Sequence, residues 1–242
     1  MEDLAQRLIS WIEEQVAEAN CRGTVFGLSG GVDSAVVGVL CKRALPKSSL
    51  GVIMPCHSSK KEDLDDALEV ARRFDIPTVT ITLDEAFDAL LRVLPNLKQY
   101  SEETKRMAEA NLKPRLRMCT LYYLANRLGY LVAGTGNRSE IKVGYFTKYG
   151  DGGVDILPLA NLVKKEVREL ARYLGIPPKI IGKVPTAGLW PGQTDEEEMG
   201  LSYEELDCFL VSGQATEEIR RKIEAMSRAS AHKRTLPHTP SF

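Results

Sequence analysis

Residues 24–28 form an apolar run that passes directly into Ser29-Gly30-Gly31-Val32-Asp33-Ser34 and then into a helical pattern over 35–45. A strand that enters a glycine turn and leaves as a helix constrains the fold more than any other stretch. Adjacent glycines permit left-handed backbone and a close approach to a ligand. The helix that follows presents unpaired N–H groups and the positive end of its dipole to the turn. A phosphate fits there, with Ser29 and Ser34 as hydroxyl donors. Asp33 is out of place in an anion site unless a divalent cation lies between it and the phosphates, so it reads as a Mg²⁺ ligand. The plainer alternative makes it a first-turn acid complementing the dipole. The loop has no Gly-Lys-Ser/Thr ending, so positive charge for the phosphates must come from elsewhere in the chain.

The pattern around this loop repeats strand and helix. Leu4, Leu8, Ile9, Trp11, Ile12 and Val16 recur at helical spacing. A second strand is expected over 50–54, then a helix capped by Ser58 or Ser59 with Leu64, Leu68, Ala71 and Phe74 on one face. A third strand over 78–83 and a helix over 84–94, stopped by Pro95, follow. Residues 101–128 make the longest helical pattern, with Pro114 marking a break or kink. A fourth strand over 130–134 runs into Thr135-Gly136-Asn137-Arg138-Ser139-Glu140, and a helix over 161–174 has Asn161 as cap and Gly175 as stop. Residues 185–198 read as a long ordered lid loop, because Leu189 and Trp190 are too apolar for a solvated linker. Two short helices, over 203–210 and 216–230, end the pattern.

Such alternation implies an α/β fold: a doubly wound parallel sheet flanked by helices, with ligands at the carboxyl ends of the strands. Both glycine turns fall at such ends. Glu140 is therefore a second candidate oxygen ligand for Mg²⁺ beside Asp33, and Thr135 can bond a nucleotide. Lys164 would point towards the strand ends if its helix begins there. In Gly144-Tyr145-Phe146-Thr147-Lys148-Tyr149-Gly150-Asp151-Gly152-Gly153, aromatic faces can stack on flat rings and Lys148 supplies a point charge, although a glycine-rich turn would use the same letters. Arg115, four residues after Asn111, suits bidentate contact with phosphate or carboxylate, or simply a solvated helix face.

The 242 residues, 43% of them hydrophobic, suffice for one large domain, and no internal repeat, low-complexity tract or second domain is evident over 1–242. A net charge of −1 with no basic stripe argues against nucleic-acid partners. Five cysteines without a Cys-x-x-Cys pair read as inert thiols of a reducing compartment. No segment approaches a membrane span, and the acidic residues Glu2, Asp3, Glu13 and Glu14 are unlike a secretory leader. The expected location is cytoplasmic.

The Ser-Gly-Gly-x-Asp-Ser string resembles the loop of the N-type ATP pyrophosphatases, which split ATP between the α and β phosphates. Taken with 111–118, 134–140, 144–156, 185–198 and His232-Lys233, the chain is similar to the ammonia-dependent NAD synthetases, with the 144–153 string the most diagnostic. The resemblance implies an adenine-nucleotide alpha-hydrolase-like three-layer sandwich and a single synthetase domain over 1–242 without a glutamine amidase domain. It implies ATP-dependent amidation of deamido-NAD⁺ by ammonia, through an adenylate, to NAD⁺, AMP and pyrophosphate. ATP would be held by Gly27, Leu28, Ser29, Gly30, Gly31, Val32, Asp33, Ser34, Thr135, Lys164 and Thr186. Mg²⁺ would be held by Asp33 and Glu140, and deamido-NAD⁺ by Arg115, Lys148, Asp155, His232 and Lys233. Asp155 is the candidate acceptor for the proton lost by ammonia. A homodimer built on the long central helix is expected. Gly188 departs from the family, many of whose members carry an acid there. The rival readings are another amidating ATP pyrophosphatase of the GMP-synthetase type, or a non-catalytic adenine-nucleotide-binding protein.

Overall fold

The computed structural model describes residues 1–57, 59–95, 99, 101–190 and 192–240. Its centre is a wholly parallel sheet. β1 (Gly23–Gly27) lies between β2 (Ser49–Ile53) and β4 (Tyr130–Val132), and β3 (Thr78–Thr80) pairs with the outer side of β2, so the order is β3-β2-β1-β4. One parallel bridge, Ala133 to Ile156, prolongs the edge beyond β4. In chain order the helices are α1 (Glu2–Glu18), α2 (Val32–Ala44), α3 (Lys61–Arg73), α4 (Asp84–Val93) and α5 (Glu102–Leu128). Then come α6 (Arg138–Val143), α7 (Lys164–Leu174), α8 (Pro178–Ile181), α9 (Asp195–Met199), α10 (Tyr203–Ser212) and α11 (Glu217–Ala229).

Successive strand side chains point to opposite faces of a sheet, and here that divides the core in two. Phe26, Ile53 and Ala133 face one layer, formed with α1, α2, α3 and α7. Their neighbours Val25, Val52 and Val132 face the other, formed with α4 and α5. The result is a three-layer sandwich. α2 is buried along most of its length, from Ser34 to Cys41, because it packs on β1 with α1 and α7 beside it. Each Val or Leu fully buried there is worth about 1.5–3 kcal/mol, which anchors the helix whose first turn carries Asp33.

Several expectations shift. β3 stops at Thr80 and is exposed along its length, because it is the edge strand of the sheet and no strand among the described residues pairs with its outer side. The cap of α3 is Lys60, without a side-chain bond; the Ser59 hydroxyl instead accepts from Cys56 N–H, and Ser58 lies outside the described residues. α5 runs unbroken through Pro114, with Ser101 as its cap. α7 begins at Lys164 rather than near Asn161; the Val163 N–H is taken by the Glu166 carboxylate at 2.9 Å, which closes the first turn from inside the helix. The 185–198 stretch is not loop throughout: Thr194 caps α9, and Pro191 lies outside the described residues. Among the described residues no helix is long and apolar enough to cross a membrane. Cys119 and Cys208 are exposed; Cys41 is buried, and burial pushes its thiol up to about 12.

Candidate active site

The chain leaves β1 and β4, which are neighbours, at the same end of the sheet, so the loops after them face one crevice. Gly30 takes the left-handed backbone (φ +82°), whereas Gly31 is extended (φ −89°, ψ 160°) and serves as the cap of α2. A Cβ on Gly30 would stand 2.2 Å from the Asp63 carbonyl oxygen, so glycine is required there by α3 as well as by φ. Ser34 Oγ accepts from Ser29 N–H at 3.1 Å and donates to the Gly31 carbonyl at 2.9 Å, folding the loop back on the first turn of α2. The two serine hydroxyls lie 3.0 Å apart.

Three helix starts converge on this loop. α2 contributes Asp33 from its first turn, α6 contributes Glu140, and α7 contributes Lys164 as its first residue. The Lys164 ammonium donates to Asp33 Oδ2 at 2.6 Å and to Glu140 Oε1 at 3.2 Å. Asn137 sets the geometry. It caps α6, exchanging hydrogen bonds with Glu140 through both backbone and side chain, and its Nδ2 donates to Asp33 Oδ1 at 3.0 Å. Burial pushes Glu140 up to about 7, with the Asp33 charge adding to the rise and Lys164 opposing it. Burial works against the Lys164 ammonium too, but Asp33 and Glu140 outweigh it and hold its pKa above the ordinary lysine value.

A chain of phenols joins this cluster to the lid. Tyr203 Oη reaches Glu140 Oε1 at 3.2 Å and Asp195 Oδ2 at 2.9 Å, and its ring lies under Lys164, 4.9 Å from Nζ to centroid. Tyr145 Oη reaches Asp195 Oδ1 at 3.0 Å and Glu198 Oε2 at 2.8 Å. Gln193 donates to Glu198 and accepts from Leu189 N–H, while Lys113 donates to the Leu189 carbonyl at 2.7 Å. The Arg106 guanidinium sits 5.4 Å from the Trp190 ring, which packs that part of the 185–198 stretch against α5. Burial raises Asp195 above the usual carboxylate range, against the pull of Lys164 and the two phenols.

The expected dinucleotide residues separate into two groups. Lys148 donates to the His232 carbonyl at 2.7 Å, and Arg115 donates to the Lys148 carbonyl at 3.4 Å. Lys233 donates to the carbonyls of Gly144 and Phe146. These four stand together where the chain's last turn folds over the 144–150 segment. Asp155 shares no hydrogen bond with them: its carboxylate accepts from Tyr122 Oη at 2.8 Å and from Val132 N–H at 2.7 Å. Thr135 and Thr186 are half-buried, and Thr186 Oγ1 accepts from Gly188 N–H. Gly188 has φ +62°, a left-handed backbone that favours glycine. The sequence does not single out Asn137, Asp195 and Tyr203, and it offers Tyr145 only as a stacking face, whereas here its hydroxyl bonds Asp195 and Glu198. Only Asn137 carried a signal, since Asn-x-x-Glu before a helix has the form of a capping box.

Among the described residues no group of three or more His, Cys, Asp or Glu side chains is arranged to hold a metal ion. Asp33 and Glu140, bridged by Lys164 beside the loop, are nevertheless of the kind and number that suit Mg²⁺, which usually takes one or two protein oxygens and completes its shell with substrate phosphates and water.

Residues 4–237 match the family model described as NAD synthase. The NH(3)-dependent NAD(+) synthetase of Carboxydothermus hydrogenoformans is 52% identical over 239 residues, covering 99% of this chain and 97% of that protein. Among solved structures, an NMN synthetase from Francisella tularensis superposes with a TM-score of 0.92 at 40% identity, covering 100% of this chain and 98% of that one. The NH3-dependent NAD synthetase from Campylobacter jejuni does so with a TM-score of 0.80 at 29% identity, covering 99% of each. The sheet, its flanking helices and these neighbours together are those of the adenine-nucleotide alpha-hydrolase fold, and the chain belongs to the NAD synthase family.

Proposed function

We propose that this protein amidates deamido-NAD⁺ with ammonia in the cytoplasm, converting ATP to AMP and pyrophosphate. The observation that carries the reading is the Lys164 ammonium held between Asp33 and Glu140 where three helices begin. The 27–34 loop and Thr135, Lys164 and Thr186 bind ATP. Arg115, Lys148, His232 and Lys233 take the dinucleotide, and two protomers pack along α5.

The nicotinate carboxylate attacks the α-phosphorus of ATP and pyrophosphate leaves. Ammonia then adds to the acyl carbon, and AMP departs with the bonding electrons. The obstacle to the first step is repulsion between two anions. The N–H groups at the start of α2 and the Lys164 charge are fixed before the substrates arrive, so they stabilise developing charge without reorganising. Lys164 fills the missing role of a lysine within the loop. Mg²⁺, held by Asp33 and Glu140, would supply charge neutralisation for the departing pyrophosphate. No side chain has to act as a nucleophile; positioning supplies the rest. Asp155, exposed and oriented by Tyr122 and Val132, accepts the proton released as ammonia becomes an amide.

The test is incubation with ATP, MgCl₂ and ammonium, with deamido-NAD⁺ and nicotinate mononucleotide as separate acceptors, followed by chromatography of AMP and the amide product. We expect NAD⁺ and AMP in equal amounts from deamido-NAD⁺, with ammonium but not glutamine as nitrogen donor. Asp33→Ala should abolish pyrophosphate release while leaving the circular dichroism unchanged. Selective use of the mononucleotide would move the acceptor to the reaction named for the Francisella neighbour, and an active Asp33→Ala protein would remove the metal argument.

A further inference from the structure

Among residues outside the ATP loop, the last turns of α3 and α7 meet α8 around a cavity of about 580 Å³. Three arginines line it: Arg73 closing α3, and Arg168 and Arg172 one turn apart on α7. Ile176, Pro178 and Ile181 form an apolar wall. Among the described residues no carboxylate lies within 4 Å of any of the three arginines. Arg73 spends its Nε on the Gly175 carbonyl at 3.0 Å, which caps α7. Arg168 and Arg172 make no hydrogen bond to the described residues, and Arg168 Nε is shut off from solvent without a partner.

This arrangement costs stability in two ways. Like charges four residues apart on a helix repel, and a buried donor without an acceptor loses its hydration for nothing. Complementing a helix dipole accounts for Arg172 in the last turn of α7 but not for Arg168 in its second turn. Three arginines around one concavity, one of them with a buried Nε that has no partner, are the complement of an oxyanion with two or more charges, because planar guanidinium donors match phosphate oxygens in pairs. The apolar wall adds a surface for a ring or hydrocarbon portion. We propose that this cavity is a second ligand site, distinct from the ATP crevice, that binds a small organic phosphate through Arg73, Arg168 and Arg172.

The test is isothermal titration of the full chain with phenyl phosphate and with inorganic phosphate, without ATP, which is itself an organic phosphate. Phenyl phosphate should bind with one site per chain, at least tenfold tighter than inorganic phosphate. Arg168→Gln and Arg172→Gln should each weaken it at least tenfold. Absence of binding by both probes, binding that survives both substitutions, or inorganic phosphate binding as tightly as phenyl phosphate would overturn the assignment.

Discussion

Lys164 is a lysine at the first position of a helix, where the dipole disfavours positive charge. It is also almost wholly buried, at 3% exposure. Both costs are offset by Asp33 and Glu140, and a residue that breaks two local rules in order to sit between two acids is the kind of local exception expected at a functional site. Its replacement by Met keeps the length and removes the charge. Two carboxylates would then face each other without compensation, and removing one partner of a buried ionic cluster costs about 3–5 kcal/mol. Lys164→Met should therefore lower the urea midpoint and abolish AMP formation; a variant of unchanged stability would show that the cluster is open to water. The acids were legible in the sequence, because each follows a glycine turn at a strand end. The phenols were not. Tyr203 stands 63 residues from Glu140 in the chain, and nothing in its local sequence announces the contact.

At the scale of elements, β1, its loop and α2 were legible because hydrophobic period and turn chemistry agree there. Boundaries were less so: α7 starts three residues after its expected cap because a tertiary contact, Lys164 N–H to Ser139 Oγ, and the Glu166 side chain define its first turn. The loop's dependence on α3 was invisible, since it is a backbone contact. Gly30→Ala would need a left-handed alanine, roughly 1–2 kcal/mol by itself, and would drive α3 off the loop. We expect ATP affinity by calorimetry to fall at least tenfold, with a lower urea midpoint. α3 is held on its other side by Asp66, which is buried and paired with Lys179 at 2.7 Å and Lys183 at 2.6 Å. Burial alone would raise the Asp66 pKa, but the two lysines outweigh it and hold it below the ordinary 3.8. A depressed carboxylate stabilises the fold above its unfolded pKa, and that contribution is lost as pH falls through the folded value. Asp66→Asn should thus be less stable than the parent at pH 7, and the gap should close as pH falls below about 3.8; a constant gap in urea midpoint would assign the loss to packing.

For the whole molecule, the three layers follow from alternating strands and helices, and the sheet order β3-β2-β1-β4 puts both glycine loops on one crevice. A one-chain description leaves α5 with large apolar side chains in water: Tyr123 is 65% exposed and Met107 41%. The same helix carries Arg115, a residue proposed to bind the dinucleotide. A second protomer packed along α5 would cover these side chains and place the acceptor site at the boundary, whereas the ATP loop and Lys164 belong to one chain. The prediction separates the two substrates. Sedimentation should give twice the 26.8 kDa chain mass, and Tyr123→Glu should shift the protein towards monomer, because an unpaired charge in a packed interface is costly to desolvate. The monomer should keep its affinity for ATP and show a raised KM for the acceptor. A monomeric parent, or a Tyr123→Glu variant in which both affinities fall together, would place the acceptor site within a single protomer.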